Sequence, residues 1–406
     1  MPKVIIVGGG LAGCGAALAA AKSGARVTLL ERTDMLIGVA VRSGETRGNG
    51  NFIAQHELRF LGGKELFEAL ETVKLHDGIK FPDVAKHTFI FHTALAEPLI
   101  KRIVKETGVE VLLESRAIDV KRNGSRIMAV KLEDGRLVEG DAFVDCTGSR
   151  GGSSVCTKYG KGCVMCLVRC FAFGDRVGIV EKAGGKVFDR HRPDGTPGNL
   201  GGGVMVFKDT LSPELKARIE EEGLVKVPLP KNFIDYSRLQ TLAGKRNKDY
   251  VENIVLTDIG PAAKCSHLGP IELDKLRETP GFENAQVEDP RTSKYNHVGF
   301  VSMAIRDNSM KVEECENLFC AGEKACHSSV DAAIITGYLA GHNAARSAFK
   351  KELLVLPTSL AIGDFIAYAS ERFKTEDGRN KNLVMSRGEY WERLQKIGLY
   401  TDNVGE

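Results

Sequence analysis

The chain has 406 residues, 43% of them hydrophobic and 27% charged, which is the make-up of a globular protein long enough for two or three cores. Its 56 Lys and Arg stand against 53 Asp and Glu, and a net charge of +3 gives no general basis for binding nucleic acid, which needs basic residues gathered on one face. No apolar run approaches the ~18 residues of a membrane span, and the start lacks the charged, apolar and small-residue order of a signal peptide, so a cytoplasmic protein without a membrane partner is expected.

In chain order, Val4-Ile-Ile-Val7 is a short β-branched apolar run, the pattern of a strand buried on both faces of a parallel sheet. Leu11 to Ser23 is alanine-rich and helical, Gly24 ends it, and Arg26 to Glu31 reads as a second strand, giving β-α-β. The stretch after Glu31, with Gly38, Gly44, Gly48 and Gly50, reads as an irregular loop placed over a bound cofactor. Ala94 to Glu106 has helical periodicity and Val109 to Leu113 is a strand. A meander then runs from Arg116 to Val138, turning at Asn123-Gly124 and Asp134-Gly135. Ala142 to Cys146 is another buried strand and closes on Thr147-Gly148. Beyond Ser149 the texture changes to cysteines, a glycine triplet at Gly201 to Gly203 and a charged helix from Pro213 to Glu222. The strand-then-glycine pattern returns at Asn317 to Gly322, followed by a helix through Arg346.

Gly8-Gly9-Gly10-Leu11-Ala12-Gly13 fits G-x-G-x-x-G between a strand and a helix, the context that gives this pattern meaning. Gly8 permits the tight turn, Gly10 lets the backbone approach a pyrophosphate, and Gly13 lets helix and strand pack closely. The helix N-terminus, at Leu11 and Ala12, offers N–H groups to the anion. Glu31 ends the second strand, where a carboxylate accepts from ribose hydroxyls and disfavours a 2′-phosphate.

Two later segments carry a resemblance. Asp145-Cys-Thr147-Gly148 is similar to the Ala-Thr-Gly turn of glutathione-reductase-like flavoproteins, and Leu318-Phe-Cys-Ala-Gly322-Glu323 resembles their late Gly-Asp element, whose acid holds a ribityl hydroxyl of FAD. Gly337-Tyr-Leu-Ala-Gly-His-Asn343-Ala-Ala-Arg346 and Pro280-Gly-Phe-Glu-Asn-Ala285 resemble the GidA/TrmFO flavoproteins, which modify tRNA uridines. The resemblance implies FAD as cofactor. It implies cofactor contacts at Gly8, Gly10, Leu11, Ala12, Gly13, Glu31, Arg32, Arg42, Thr147, Gly148, Gly322, Glu323, Ala332 and Ala333. It also places Cys326 and His327 beside the isoalloxazine as candidate catalytic groups, since a histidine there can poise protons near neutral pH. Where that family carries a cysteine after the first βαβ unit, this chain reads Arg42-Ser-Gly-Glu-Thr-Arg-Gly-Asn-Gly-Asn51, with none, so the thiol-dependent methyl transfer is not carried over.

Ten cysteines exceed what packing needs in a reducing compartment, and four of them, Cys156, Cys163, Cys166 and Cys170, fall within fifteen residues. The last three stand at helical spacing, where their sulfurs share one face. Four thiolates are the ligand set of an iron-sulfur cluster, though the first gap is longer than the ferredoxin pattern and Phe171 stands where that pattern has proline. A four-cysteine zinc site, a Cys163–Cys166 redox dithiol favoured by Lys158, Lys161 and Arg169, and plain burial stay open beside it. Cys320 reads as a small buried thiol, and Lys245-Arg-Asn-Lys248 as a solvated basic loop rather than an RNA contact.

The expected fold is α/β: a Rossmann-like FAD-binding domain from 1–150 and 300–350, with a parallel sheet and a β-meander. An inserted α+β substrate and cysteine-rich domain over 151–299 and a helical C-terminal segment over 351–406 complete it. The expected activity is that of an FAD-dependent oxidoreductase passing electrons between flavin and the cysteine-rich site or a bound substrate. The alternatives are a folate- and FAD-dependent RNA-uridine-modifying enzyme and a flavin-containing redox sensor. Expected partners are a small-molecule substrate or an electron-transfer protein, and a second copy of the chain.

Overall fold

A computed structural model describes residues 1–46, 48–79, 87–148, 177–189, 202–236, 247–267, 273–287, 302–327, 329–380, 383–386 and 388–403. Its centre is a five-stranded parallel sheet in the order Leu318–Cys320, Ala142–Asp145, Lys3–Val7, Arg26–Leu30, Glu110–Leu112. Register is regular, with Ile5 opposite Thr28 on one side and Phe143 on the other. Val4, Ile5, Ile6, Phe143, Val144 and Phe319 are fully buried, as strands covered on both faces require. The late strand pairs in parallel with Ala142–Asp145, so residues about 175 positions apart in sequence complete one sheet.

Two helices pack over this sheet at backbone distance. The Leu11–Lys22 helix lies against Val330–Ala348, and a Cβ on Gly337 or Gly341 would fall 2.2 Å from Ala12 O or 2.0 Å from Ala16 O. These two glycines, one helical turn apart, are what allow the approach. The meander forms as expected: Ala117–Asn123, Arg126–Leu132 and Leu137–Glu139 make an antiparallel sheet, with Gly124 and Gly135 at positive φ in its turns.

A four-stranded antiparallel sheet, Gly202–Phe207, Ala262–His267, Asn253–Asp258, Leu224–Pro228, carries a separate core of Val206, Ile219, Leu256, Cys265 and Phe282. The Pro213–Glu222 helix covers it, started by Ser212, whose hydroxyl accepts from Leu215 N, and stopped by Gly223 in the left-handed region. Among the described residues no helix is long and apolar enough to cross a membrane.

One expectation needs correcting. The glycine-rich stretch after Glu31 is not irregular throughout, because it contains the helices Ala40–Ser43 and Gly50–Phe60. Gly50 marks a close approach rather than a break: a Cβ there would lie 2.3 Å from Met385 O, and Ile53, Ala54 and Leu58 then turn inward. The C-terminal segment is helical over Ala361–Phe373, Glu376–Asn380 and Gly388–Lys396.

Candidate functional site

The site grows from the turn between Lys3–Val7 and Leu11–Lys22. Gly8 sits at φ +102°, donates its N–H to Leu30 O at 2.8 Å, and a Cβ there would meet Cys146 O at 2.5 Å. Gly13 is closer still, its Cβ position 1.8 Å from Gly8 O. Gly10 is different. It caps the helix with no side-chain bond to the first turn, and a Cβ built on it meets nothing within 4 Å. The helix start thus has no side-chain cap and open space beside Gly10, which is what a pyrophosphate cradle needs. On the other flank Gly38 comes within 3.0 Å of Gly10 Cα, measured from its own Cβ position.

Glu31 is 7% exposed and oriented by the backbone: Gly9 N donates to Oε2 at 2.7 Å and Thr33 N to Oε1 at 2.8 Å. Each oxygen keeps a lone pair for a ribose hydroxyl. Arg32 follows it, half-buried, and Arg42 lies in the Ala40–Ser43 helix.

Across the sheet edge, Asp145 is fully buried and gathers three donors. Thr147 N and Oγ1 reach its Oδ1 at 3.0 and 2.7 Å, and Val180 N reaches Oδ2 at 3.0 Å. Gly148 follows at φ +72°. The late strand ends in a turn, Gly322–Ala325, that begins with Gly322 at φ +66°. Gly322 N donates to Thr336 Oγ1 at 2.9 Å, and its Cβ position lies 3.1 Å from the Ala12 side chain. This joins the turn to both helices. Ala332 and Ala333 lie in the first turn of Val330–Ala348, where Ser329 Oγ accepts from Ala332 N at 2.9 Å. Glu323 is half-buried, and Lys324 beside it is enclosed and paired with Glu181 at 3.3 Å.

Cys326 adopts φ +74° and is buried, and His327 is 0% exposed. The His327 Nδ1–H donates to Ala325 O at 2.7 Å, while its Nε2 has no partner among the described residues. Burial, reinforced by the nearby Arg306 charge, pulls the imidazole pKa well below its ordinary value, so it is neutral at physiological pH. Its ring packs edge-on against Phe365 at 4.7 Å. Arg306 is itself enclosed, held by the carbonyls of Asp307 and Ala325 and by Ser370 Oγ. Burial pushes the Cys14 and Cys320 thiols up to about 12, which keeps them protonated and inert.

The structure thus gathers Gly8, Gly10, Leu11, Ala12, Gly13, Glu31, Thr147, Gly148, Gly322, Glu323, Ala332 and Ala333 at one end of the parallel sheet. Cys156, Cys163, Cys166 and Cys170 lie outside the described residues, as do Lys245 and Arg246. Sequence reading missed Asp145 as an anchor, Thr336 as the acceptor for the late turn, and Arg306. Only Asp145 carried a signal, an acid standing directly before Cys146-Thr147-Gly148, the counterpart of the Ala-Thr-Gly turn.

Open space at Gly10, an oriented acid at Glu31 and a helix N-terminus without a side-chain cap fit an FAD pyrophosphate and ribose. The comparisons agree. Residues 3–150 match the FAD dependent oxidoreductase family model, and residues 270–352 match that of glucose inhibited division protein A, GidA. The tRNA uridine 5-carboxymethylaminomethyl modification enzyme MnmG of Chlorobaculum tepidum is 25% identical over 464 aligned residues, covering 98% of this chain and 72% of that protein. Aquifex aeolicus GidA superposes with a TM-score of 0.65 at 16% identity, over 100% of this chain and 74% of that one. A flavoprotein/dehydrogenase from Cytophaga hutchinsonii gives 0.54 at 13% identity, over 93% and 86%. With both family matches on one chain and a GidA-like fold around the cradle, the chain is similar to GidA and to FAD-dependent oxidoreductases, and FAD is the cofactor its cradle fits.

Proposed function

We propose that this oxidoreductase passes electrons between its flavin and the Cys156 to Cys170 run, or a substrate bound beside it. The supporting observation is Asp145. One carboxylate holds Thr147 on one side of residues 149–176 and Val180 on the other, so that segment leaves and rejoins the fold beside the cofactor turn. The Lys324–Glu181 pair adds a second tie between the rejoining point and the Gly322–Ala325 turn. When bound, FAD supplies the hydride and electron chemistry. The chain's part is to seat the pyrophosphate at Gly10, fix the ribose at Glu31 and hold the late turn through Thr336. Cys326 and His327 stand as the groups nearest that turn to guide a proton, with His327 acting as a neutral imidazole.

Anaerobic purification with an absorption spectrum and an iron and zinc assay tests this reading. The expected result is flavin bands with iron absorption, and less iron but retained FAD in Cys170→Ser. If no metal is present, Cys163 and Cys166 become the pair, and after anaerobic reduction with dithionite two thiols should appear as the reduced flavin passes its electron pair and two protons to their disulfide and is reoxidised. Metal-free protein in which no thiols form as the reduced flavin is reoxidised sinks the proposal.

A second reading has its own support in the MnmG relative, which aligns along nearly the whole chain. On that reading the substrate is a tRNA uridine. Co-purifying RNA and folate-dependent flavin oxidation would favour it, and the loop at 42–51 without a cysteine weighs against it.

A further inference from the structure

We propose that the C-terminal segment 383–386 is a strap that positions the glycine loop of the cofactor site, with Ser386 as its positioning residue. The proposal rests on the FAD reading of the cradle. Ser386 is 1% exposed, and its hydroxyl donates to Gly48 O and accepts from Asn51 N at 3.2 Å. The strap thereby grips both sides of Asn49. That residue sits at φ +60°, ψ −113°, a backbone conformation that side chains disfavour and that persists only where its surroundings impose it. Next to it the Gly50 Cβ position lies 2.3 Å from Met385 O, so the loop and strap backbones are in direct contact.

The strap is anchored at its other end. Arg393 grips Asp364 with Nε at 3.0 Å and Nη2 at 2.6 Å, and Tyr390 OH donates to the same carboxylate at 2.9 Å. Asp364 belongs to the Ala361–Phe373 helix, whose first N–H groups at Ala361 and Ile362 are capped by Glu57 at 2.7 and 2.8 Å. Glu57 belongs to Gly50–Phe60, the helix that the gripped loop begins. The contacts close a ring around that helix. One turn from Asn51, Gln55 bonds to Asp331 in the first turn of Val330–Ala348, the helix that holds the Gly322 turn through Thr336. Gly50–Phe60 is therefore clamped between the strap and the cofactor side, and the tail is part of the site rather than an appendage.

The test uses the full chain, freed of flavin and titrated with FAD, with hydrogen exchange followed on the peptide covering 44–58. Ser386→Ala should speed exchange there and weaken FAD binding on the order of three- to tenfold, the effect of one lost hydrogen bond. Gly50→Ala, which forces the strap away without touching Ser386, should do the same and serves if Ser386→Ala does not fold. Ser386→Thr, which keeps the hydroxyl, should restore both readings. Faster exchange with unchanged FAD affinity makes the strap merely structural and overturns the proposal, as does unchanged exchange. A wild type that binds no FAD sinks the cofactor reading and the strap together. A wild type that binds FAD while both variants bind it equally well sinks the strap alone.

Discussion

Gly10 and Gly13 stand three residues apart in one glycine pattern, and the structure predicts opposite outcomes for the same substitution. A methyl on Gly10 meets no protein atom within 4 Å, and its φ of −64° is ordinary for alanine. Gly10→Ala should leave the flavin-free protein within about 1 kcal/mol of wild type, because a small loss at the helix cap is offset by a stiffer unfolded chain. The methyl enters the open space that the cradle offers a pyrophosphate. Losing one charge-assisted bond from the helix N–H groups is worth ~1.5–3 kcal/mol, or roughly 10- to 150-fold in FAD affinity. Gly13→Ala instead puts its methyl 1.8 Å from Gly8 O, so helix and strand must separate. Overpacking of this kind costs about 1–3 kcal/mol or more before any cofactor is added. Thermal melting of flavin-free protein beside fluorescence titration with FAD separates the two effects. A Gly10→Ala protein that melts early, or that binds FAD as tightly as wild type, would refute the placement of the cradle.

Other substitutions probe the rest of the site. Glu31→Ala strands the N–H groups of Gly9 and Thr33 as well as the ribose, so it should lower flavin-free stability by about 1–3 kcal/mol and weaken FAD further, read by urea unfolding and titration. Asp364→Ala removes the acceptor of Arg393 and leaves the buried Tyr390 hydroxyl only the longer bond to Ala361 O at 3.3 Å; it should cost about 1–3 kcal/mol, with the loss seen first in protease sensitivity of residues 383–403. The Cys14 and Cys320 thiols have ordinary values of 9.0 raised to about 12 by burial. The unfolded chain therefore releases these protons first, and stability should fall as pH rises from 9 toward 12, by about 1.4 kcal/mol per thiol at pH 10. Urea unfolding at pH 8 and 10 measures this, and a Cys320→Ala protein with the same pH slope as wild type would remove Cys320 as a contributor.

Much of the nucleotide-binding half was legible because its signals are local. The apolar run at Val4 to Val7, the glycines after it and the acid ending Arg26–Leu30 each follow from backbone geometry within a few residues. The meander was equally plain, since Asn123-Gly124 and Asp134-Gly135 announce its turns. The Gly50–Phe60 helix was not legible. Its opening glycines mimic a loop, and the reason for Gly50 lies at Met385, 335 residues away. Arg306 was invisible for a related reason: an arginine in sequence reads as surface, and only the fold supplies the carbonyls of Asp307 and Ala325 that let it be buried.

Asp145 shows how a single position carries both kinds of information. This residue ends the Ala142–Asp145 strand and is fully buried, and a buried acid is costly unless it is hydrogen-bonded. Here Thr147 takes one oxygen twice and Val180 takes the other. The first two bonds are local and only shape the turn. The third reaches 35 residues ahead, across the segment that holds the four clustered cysteines, and brings its far end back to its starting point. An alanine could make neither the local bonds to Thr147 nor that return. The acid therefore ties Thr147 and Val180, the described residues flanking that segment, to one carboxylate.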